Sequence, residues 1–138
     1  MYFPCKGDPN YAAEVEIICA FILSVKDMVD VERFDIVIAG DFNFDVKNSH
    51  SNSDLQVFYE LLHDCNLEPS SLYNDSDIAY TFHCDTRNVY SFIDDIIIPK
   101  SYRVQGSLLN FDIIDDVTNK SDHLAVICNI AGKDNENV

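Results

Sequence analysis

Three short segments of this chain carry carboxylate, amide and imidazole groups at spacings that suit phosphate or metal chemistry. Ile36-Val37-Ile38-Ala39-Gly40-Asp41-Phe42-Asn43 sets Asp41 and Asn43 just past the carboxyl end of an apolar run. Side chains two apart on extended backbone point the same way, and Gly40 permits a sharp turn. Both groups can therefore converge on one small ligand, at the strand end where α/β folds commonly bind one. Asp and Asn are also ordinary turn residues, so the motif equally reads as a turn. Ser121-Asp122-His123 precedes the apolar stretch Leu124–Ile130. Asp122 suits a hard cation, and His123 suits proton transfer or a hydrogen bond to a phosphoryl oxygen. A Ser/Asp turn with a histidine opening a strand is the plain alternative.

Phe92-Ile93-Asp94-Asp95-Ile96-Ile97-Ile98 is harder to read as mere structure. Strand period places Asp94 and Asp95 on opposite faces, so at least one carboxylate shares a face with apolar side chains. A buried, unpaired carboxylate costs several kcal/mol, roughly, and so requires a partner. A histidine is one, because a carboxylate on one ring nitrogen fixes the tautomer and stabilises the imidazolium. Asp94 is expected to face His123 and Asp95 the other side. Local use with Lys100 or Arg87 is the alternative.

The elements that must position these groups follow an α/β order. Tyr11 to Val29 has helical periodicity, with Ile18, Phe21, Ile22, Val25 and Val29 on the predicted apolar face and Glu14, Lys26 and Asp30 outside. Phe34–Ala39 reads as a buried strand. Asp54–Asp64 reads as a second helix with Ser53 at its N-cap. Strands are expected at Tyr80–Cys84, Tyr90–Ile98, Tyr102–Leu108 and Leu124–Ile130, so the later half is rich in β-structure. Tyr2-Phe3-Pro4 reads as the last residues of a strand parallel to Phe34–Ala39. For His123 to meet Asp41, Leu124–Ile130 is expected to run antiparallel to that strand in one mixed sheet.

In order and wording, Tyr2-Phe3-Pro4, Ala39-Gly40-Asp41-Phe42-Asn43, Tyr80-Thr81-Phe82, Ser91-Phe92-Ile93-Asp94 and Ser121-Asp122-His123 resemble the second half of the endonuclease/exonuclease/phosphatase superfamily. Its members include DNase I, apurinic endonucleases and LINE-type retrotransposon endonucleases. Tyr80-Thr81-Phe82-His83, Ser91-Phe92-Ile93-Asp94-Asp95 and Lys120-Ser121-Asp122-His123-Leu124 are most similar to the retrotransposon branch. The resemblance implies half of a DNase I-like four-layer α/β sandwich, a mixed β-sheet with helices on one face, over residues 1–132, followed by a polar tail over 133–138. It implies Mg²⁺, with Mn²⁺ as the alternative, and in-line attack of water on a phosphodiester of DNA. By the same resemblance Tyr2 contacts the scissile phosphate. Asp41 positions or deprotonates the water, Asn43 faces phosphate and metal, Asp94 orients the catalytic His123, and Asp122 joins Asp41 and Asn43 at the metal. Thr81 and Ser121 are expected to touch substrate.

Some features depart from that pattern. Asp95 stands where the family often has an aromatic residue or a histidine. The family's metal-binding glutamate and an early asparagine belong to its first half, and Glu14 and Glu16 lie in the wrong place to replace them. A missing N-terminal half, and a fused reverse transcriptase in the parent, are therefore expected partners. The chain alone is expected to expose one apolar side of its sheet, prone to association, and to be an incompetent nuclease.

Composition narrows the compartment and the ligand. Nine Lys and Arg against 24 Asp and Glu give −15, which repels a phosphate backbone unless cations or a basic partner intervene. No apolar run is long enough to span a membrane, and the N-terminus lacks a secretory signal pattern. The five cysteines form no C-x-x-C pair, so a zinc ribbon or a disulfide framework is not expected. A reducing, intracellular location, nuclear or cytoplasmic, fits them. His50, His63 and His83 lack ligand spacing, and Asp112, Asp115 and Asp116 read as a solvated loop. A non-DNA phosphoester as substrate and a non-catalytic interaction module are the alternatives to a DNA endonuclease.

Overall fold

The structure, a computed structural model, describes residues 1–32 and 34–132; the polar tail expected over 133–138 lies outside the described residues. After Tyr2-Phe3-Pro4 the chain forms α1 (Tyr11–Val31), β1 (Ile38–Asp41), α2 (Gln56–Asp64) and β2 (Leu67–Pro69). It continues through β3 (Phe82–Cys84), β4 (Val89–Ser91), β5 (Asp94–Pro99), α3 (Ser101–Val104), β6 (Leu108–Ile114) and β7 (Ala125–Ile130).

The central sheet is ordered β1-β5-β2. β5 runs antiparallel to β1, pairing Ile38 with Ile97, Gly40 with Asp95 and Asp41 with Asp94. The N-terminal segment adds a parallel bridge between Tyr2 and Asp41, held by Phe3 N–H to the Asp41 carbonyl at 2.9 Å and Asp41 N–H to the Met1 carbonyl at 3.0 Å. The sheet is thus mixed, and the expected parallel relation of these two segments is present. Gly40 is required there: a Cβ on it would sit 1.8 Å from the Met1 carbonyl oxygen.

α1 and α2 cover one face of this sheet. Tyr11, Val15, Cys19 and Ile22 recur at helical spacing and form the buried row of α1. They share a core with Phe58, Leu61 and Leu62 of α2 and Ile38, Leu67 and Ile97 of the sheet. The rings of Phe3, Phe42, Phe44 and Phe58 pack together at its centre, with centroids 5.2 to 6.1 Å apart. The α1 face is rotated from the predicted one, since Phe21 is 60% exposed while Tyr11 and Val15 take the inner row. The cap of the second helical segment is Asn52, not Ser53: its side chain accepts the Asp54 N–H at 3.1 Å, ahead of a 3₁₀ turn over Ser53–Leu55.

Three strand expectations need correction. The predicted strand Tyr90–Ile98 is broken at Phe92-Ile93, where β4 leaves β3 and β5 joins β1. Tyr102–Leu108 is not a strand. Gln105 N–H reaches the Ser101 carbonyl at 2.9 Å and closes a helical turn, and the strand begins only at Leu108. Finally, β7 does not share a sheet with β1. It pairs with β6, because Leu124 N–H bonds the Thr81 carbonyl at 2.7 Å and ties the start of β7 to the β3–β4 hairpin. A second core of Phe92, Phe111, Ile113 and Leu124 fills the space beneath.

One side of α1 stays uncovered. Ile17, Phe21, Met28 and Val31 are 60 to 81% exposed, and Phe34 and Val37 continue the patch. A contiguous apolar stripe of this kind favours association. The isolated chain is therefore expected to sediment as oligomers at micromolar concentration, and Ile17→Glu combined with Phe21→Lys to shift it toward monomer. An unchanged sedimentation profile in the double variant would assign association to another surface.

Candidate active site

The antiparallel register of β1 and β5 places Asp41, at the end of one strand, directly opposite Asp94, at the start of the other. Opposed residues in such a pair project to one face, so two carboxylates stand side by side. His123 enters from the neighbouring layer through an antiparallel bridge to Phe82, whose ring lies 5.1 Å from the imidazole. The His123 Nδ1 to Asp94 Oδ2 distance is 2.9 Å. Oxygen and nitrogen donors of Asp41, Asp94 and His123 all fall within 4.8 Å of one another.

Charge and burial act together on these groups. Burial draws the His123 pKa down, but the hydrogen bond and charge of Asp94, with Asp41 and Asp122, outweigh it and leave it raised. Asp41 is raised too, first by burial and then by the charge of Asp94; the N–H of Asn43 and the charge of His123 pull it back. The trio thus favours the charged imidazolium more than an isolated histidine would.

Asn43 adopts the left-handed conformation, with φ of 55°. Its N–H donates to Asp41 Oδ1 at 2.8 Å, and its Nδ2 donates to the Phe3 carbonyl at 2.6 Å. The G-D-x-N segment is therefore both the expected turn and a wall of the site. Tyr2 is 64% exposed, with its hydroxyl 3.7 Å from Cys5 Sγ. That contact leads the effects that raise its pKa.

The remaining expected site residues stand apart from this cluster. Asp122 is exposed and outside the converging set; its carbonyl accepts the His83 N–H at 2.9 Å. Ser121 is exposed, and its Oγ accepts the His123 N–H at 3.1 Å, capping the turn. Thr81 is 0% exposed, which corrects the expectation of a substrate contact. Its Oγ1 accepts the N–H groups of Ile93 at 3.0 Å and Asp94 at 2.9 Å, while its carbonyl holds Leu124. One residue, through its hydroxyl on one side and its backbone carbonyl on the other, thus anchors both halves of the Asp94–His123 pair. Thr81→Val removes the acceptor for two inner N–H groups, at roughly 1–3 kcal/mol each. A fall of about 2–4 kcal/mol in urea-unfolding stability is expected, and an unchanged midpoint would deny Thr81 this role.

His50 packs tilted on Tyr59 with centroids 4.2 Å apart, and His63 and His83 each meet a nearby aspartate at 3.1 Å. None joins the trio. Asp115 and Asp116 lie in an exposed loop, as expected, and Asp116 accepts from Thr118; Asp112 is instead an exposed residue of β6. The clamp made by Thr81 and the ring of Phe82 carried no signal that spacing alone could reveal.

No protein-family model and no curated protein sequence matches the chain. Solved structures do. A 3′-5′ exonuclease, NExo, from Neisseria meningitidis superposes with a TM-score of 0.66 at 18% identity, over 91% of this chain and 56% of that one. The 3′ phosphatase NExo carrying D146N, from Neisseria and bound to product DNA hairpin, gives 0.64 at 19% identity over the same shares. An endonuclease/exonuclease/phosphatase family protein from Leptotrichia buccalis gives 0.45 at 17% identity, over 77% of this chain and 40% of that one. The chain thus spans about 56% of the length of the first two structures. With its helix-backed mixed sheet and a hairpin layer bringing a histidine to the sheet's aspartates, the described chain has the DNase I-like α/β fold.

Proposed function

We propose that this chain is the second portion of a divalent-metal-dependent phosphodiesterase of the endonuclease/exonuclease/phosphatase superfamily, acting on DNA. The observation that carries the reading is the 2.9 Å Asp94–His123 hydrogen bond formed beside Asp41. In it, Asp94 holds the ring and favours the imidazolium, which stands ready to stabilise charge or give up a proton at an oxygen. Asp41 is the base or water-orienting group, and Tyr2 and Asn43 flank the phosphate.

The donor set fits a hard cation. Asp41 and Asp94 supply carboxylate oxygens, and Asn43 can add its amide oxygen because its Nδ2 is committed to Phe3. Mg²⁺ accepts a few protein oxygens and retains waters. With one Asp94 oxygen held by His123, an additional carboxylate from a preceding segment suits the site, and we assign that role to an N-terminal half. Asp122, being exposed, serves at most as an outer contributor to the field. When bound, the metal supplies Lewis-acid stabilisation of the phosphoryl charge.

Within the superfamily we favour a retrotransposon-type endonuclease, on the wording of Tyr80-Thr81-Phe82-His83, Ser91–Asp95 and Lys120–Leu124. The second reading, an exonuclease or 3′ phosphatase, draws on the two Neisseria structures. All five cysteines are free thiols, which supports a reducing location, and among the described residues no helix is long and apolar enough to cross a membrane. A protein containing this chain is expected to nick supercoiled plasmid in Mg²⁺ but not in EDTA, with Asp41→Asn abolishing the reaction. Release of 3′-phosphate without nicking would select the second reading, and no hydrolysis of either substrate would leave a non-catalytic module.

A further inference from the structure

Next to Asn43 a cleft of about 440 Å³ opens between the N-terminal turn and the loop ahead of α2. Lys6, Asn43, Asn48, Ser51, Asn52 and Ser53 are among its lining residues. None of the nine residues lining it is acidic, in a chain with 24 Asp and Glu in 138 residues. Two acids lie between Asn43 and α2: Asp54, in the turn over Ser53–Leu55, and Asp45, which is turned onto its own segment. It accepts from Lys47 N–H at 3.0 Å, Asn48 N–H at 3.2 Å and Asn48 Nδ2 at 2.7 Å. Asn52 Oδ1 is committed to the Asp54 N–H at 3.1 Å, leaving its NH₂ as a donor. Lys6 is carried at the tip of a turn closed by Asp8 N–H to the Cys5 carbonyl at 3.1 Å. Gly7 follows at φ +106°, a conformation that favours glycine. Lys6 forms no ion pair among the described residues.

We infer that this cleft is an anion subsite for a second phosphate of the same nucleic-acid strand, next to the one handled by Asp41, Asp94 and His123. The inference rests on the phosphodiesterase reading above. Asn43 joins the two places, since its N–H binds Asp41 at 2.8 Å and the same residue is part of the cleft's lining. In a chain of −15, a pocket whose lining offers hydroxyl, amide and ammonium donors and no carboxylate is where a polyanion can be held. Charge-assisted hydrogen bonds from one ammonium and nearby hydroxyls suit a phosphate oxygen, and contacts of this kind fix register without reading sequence.

The test is a ¹H–¹⁵N titration of the full chain with thymidine 3′,5′-bisphosphate, thymidine 5′-monophosphate and inorganic phosphate, each in Mg²⁺. The bisphosphate is expected to move the amides of Ser49 through Ser53 together with those of Asn43 and His123. It should bind about tenfold tighter than the monophosphate, as one charge-assisted contact permits. Lys6→Gln should erase that advantage and Ser51→Ala should reduce it, with neither changing monophosphate binding. Equal affinity for both nucleotides, or an advantage that survives Lys6→Gln, overturns the subsite. Shifts at Asn43 and His123 with a silent Ser49–Ser53 segment overturn it as well and leave the phosphodiesterase reading standing. Shifts confined to the cleft, reproduced by inorganic phosphate alone, overturn the shared-strand inference and count against hydrolysis at His123.

Discussion

Replacing His123 by alanine is expected to lower metal-dependent phosphodiester hydrolysis by about 10²–10⁴-fold, the usual span for a positioned acid or base. Asp94→Asn should approach the same loss, because an amide can hold the ring but cannot stabilise its charge. The two groups are joined at 2.9 Å, so they act as one unit and the double variant should be little worse than His123→Ala alone. The pH dependence carries its own sign. His123 is raised above its ordinary 6.5, so the imidazolium is fully present below that value and is lost as pH climbs through the raised one. In Asp94→Asn, the loss of both the hydrogen bond and the charge should move the His123 titration to lower pH, followed directly by its ring proton resonances. The same partnership adds to folding stability on the acid side and fades as pH rises. Losses that add across the pair, or an unmoved His123 titration in Asp94→Asn, would show that the contact is structural only.

Much of this site was legible because strand geometry is rigid. The alternation rule alone sends Asp94 and Asp95 to opposite faces, and the structure has Asp94 on His123 and Asp95 on Ser71. Asp41 and Asn43 meet differently from the two-residue rule: the Asn43 N–H donates to Asp41 at 2.8 Å, while its side chain turns to the Phe3 carbonyl. What resisted reading was the partnership between segments. Apolar runs such as Leu124–Ile130 declare a strand but not its neighbour, and β7 went to β6 because backbone groups of Thr81 and Leu124 found each other. Thr81 looked like a substrate contact from wording, yet its hydroxyl is spent on two backbone N–H groups. On α1 the buried row of Tyr11, Val15, Cys19 and Ile22 shares Ile22 with the predicted stripe, and it faces a core with Phe3 and Phe58, far away in sequence. Tyr102–Val104 alternates like a strand, but the chain turns there, and Gly106 at φ 69° completes the reversal into β6.

Asp95→Asn is expected to stabilise the fold at pH 8 and leave it nearly unchanged at pH 4.5. Asp95 is 1% exposed, and burial pushes its pKa from the ordinary 3.8 to about 6. Hydrogen bonds from the Ser71 hydroxyl and N–H and from Ile96 N–H pull the other way, while the charge of Asp45 adds to the rise. Because the folded value lies above the unfolded one, protonation favours the fold. That contribution is complete below about 3.8 and is lost as pH rises through about 6. A displacement of this size corresponds to roughly 3 kcal/mol, charged against the native state at neutral pH. Asparagine keeps the geometry without the charge. Its Oδ1 can still accept the Ile96 N–H, at 2.8 Å, and the Ser71 N–H, at 3.3 Å. Its NH₂ can donate to Ser71 Oγ, since a hydroxyl serves as donor or acceptor. The unfolding free energy from urea titrations should therefore rise by about 1–3 kcal/mol at pH 8, with a flatter pH slope across this range. Asp95→Leu, which leaves both N–H groups without an acceptor, should instead lose stability at every pH. An asparagine variant weakened equally at pH 4.5 and pH 8 would mean that the carboxylate's hydrogen bonds, rather than its desolvation, dominate at this position. It would also make Asp95 the pin that fixes the β5 face, and with it the direction in which Asp94 reaches His123.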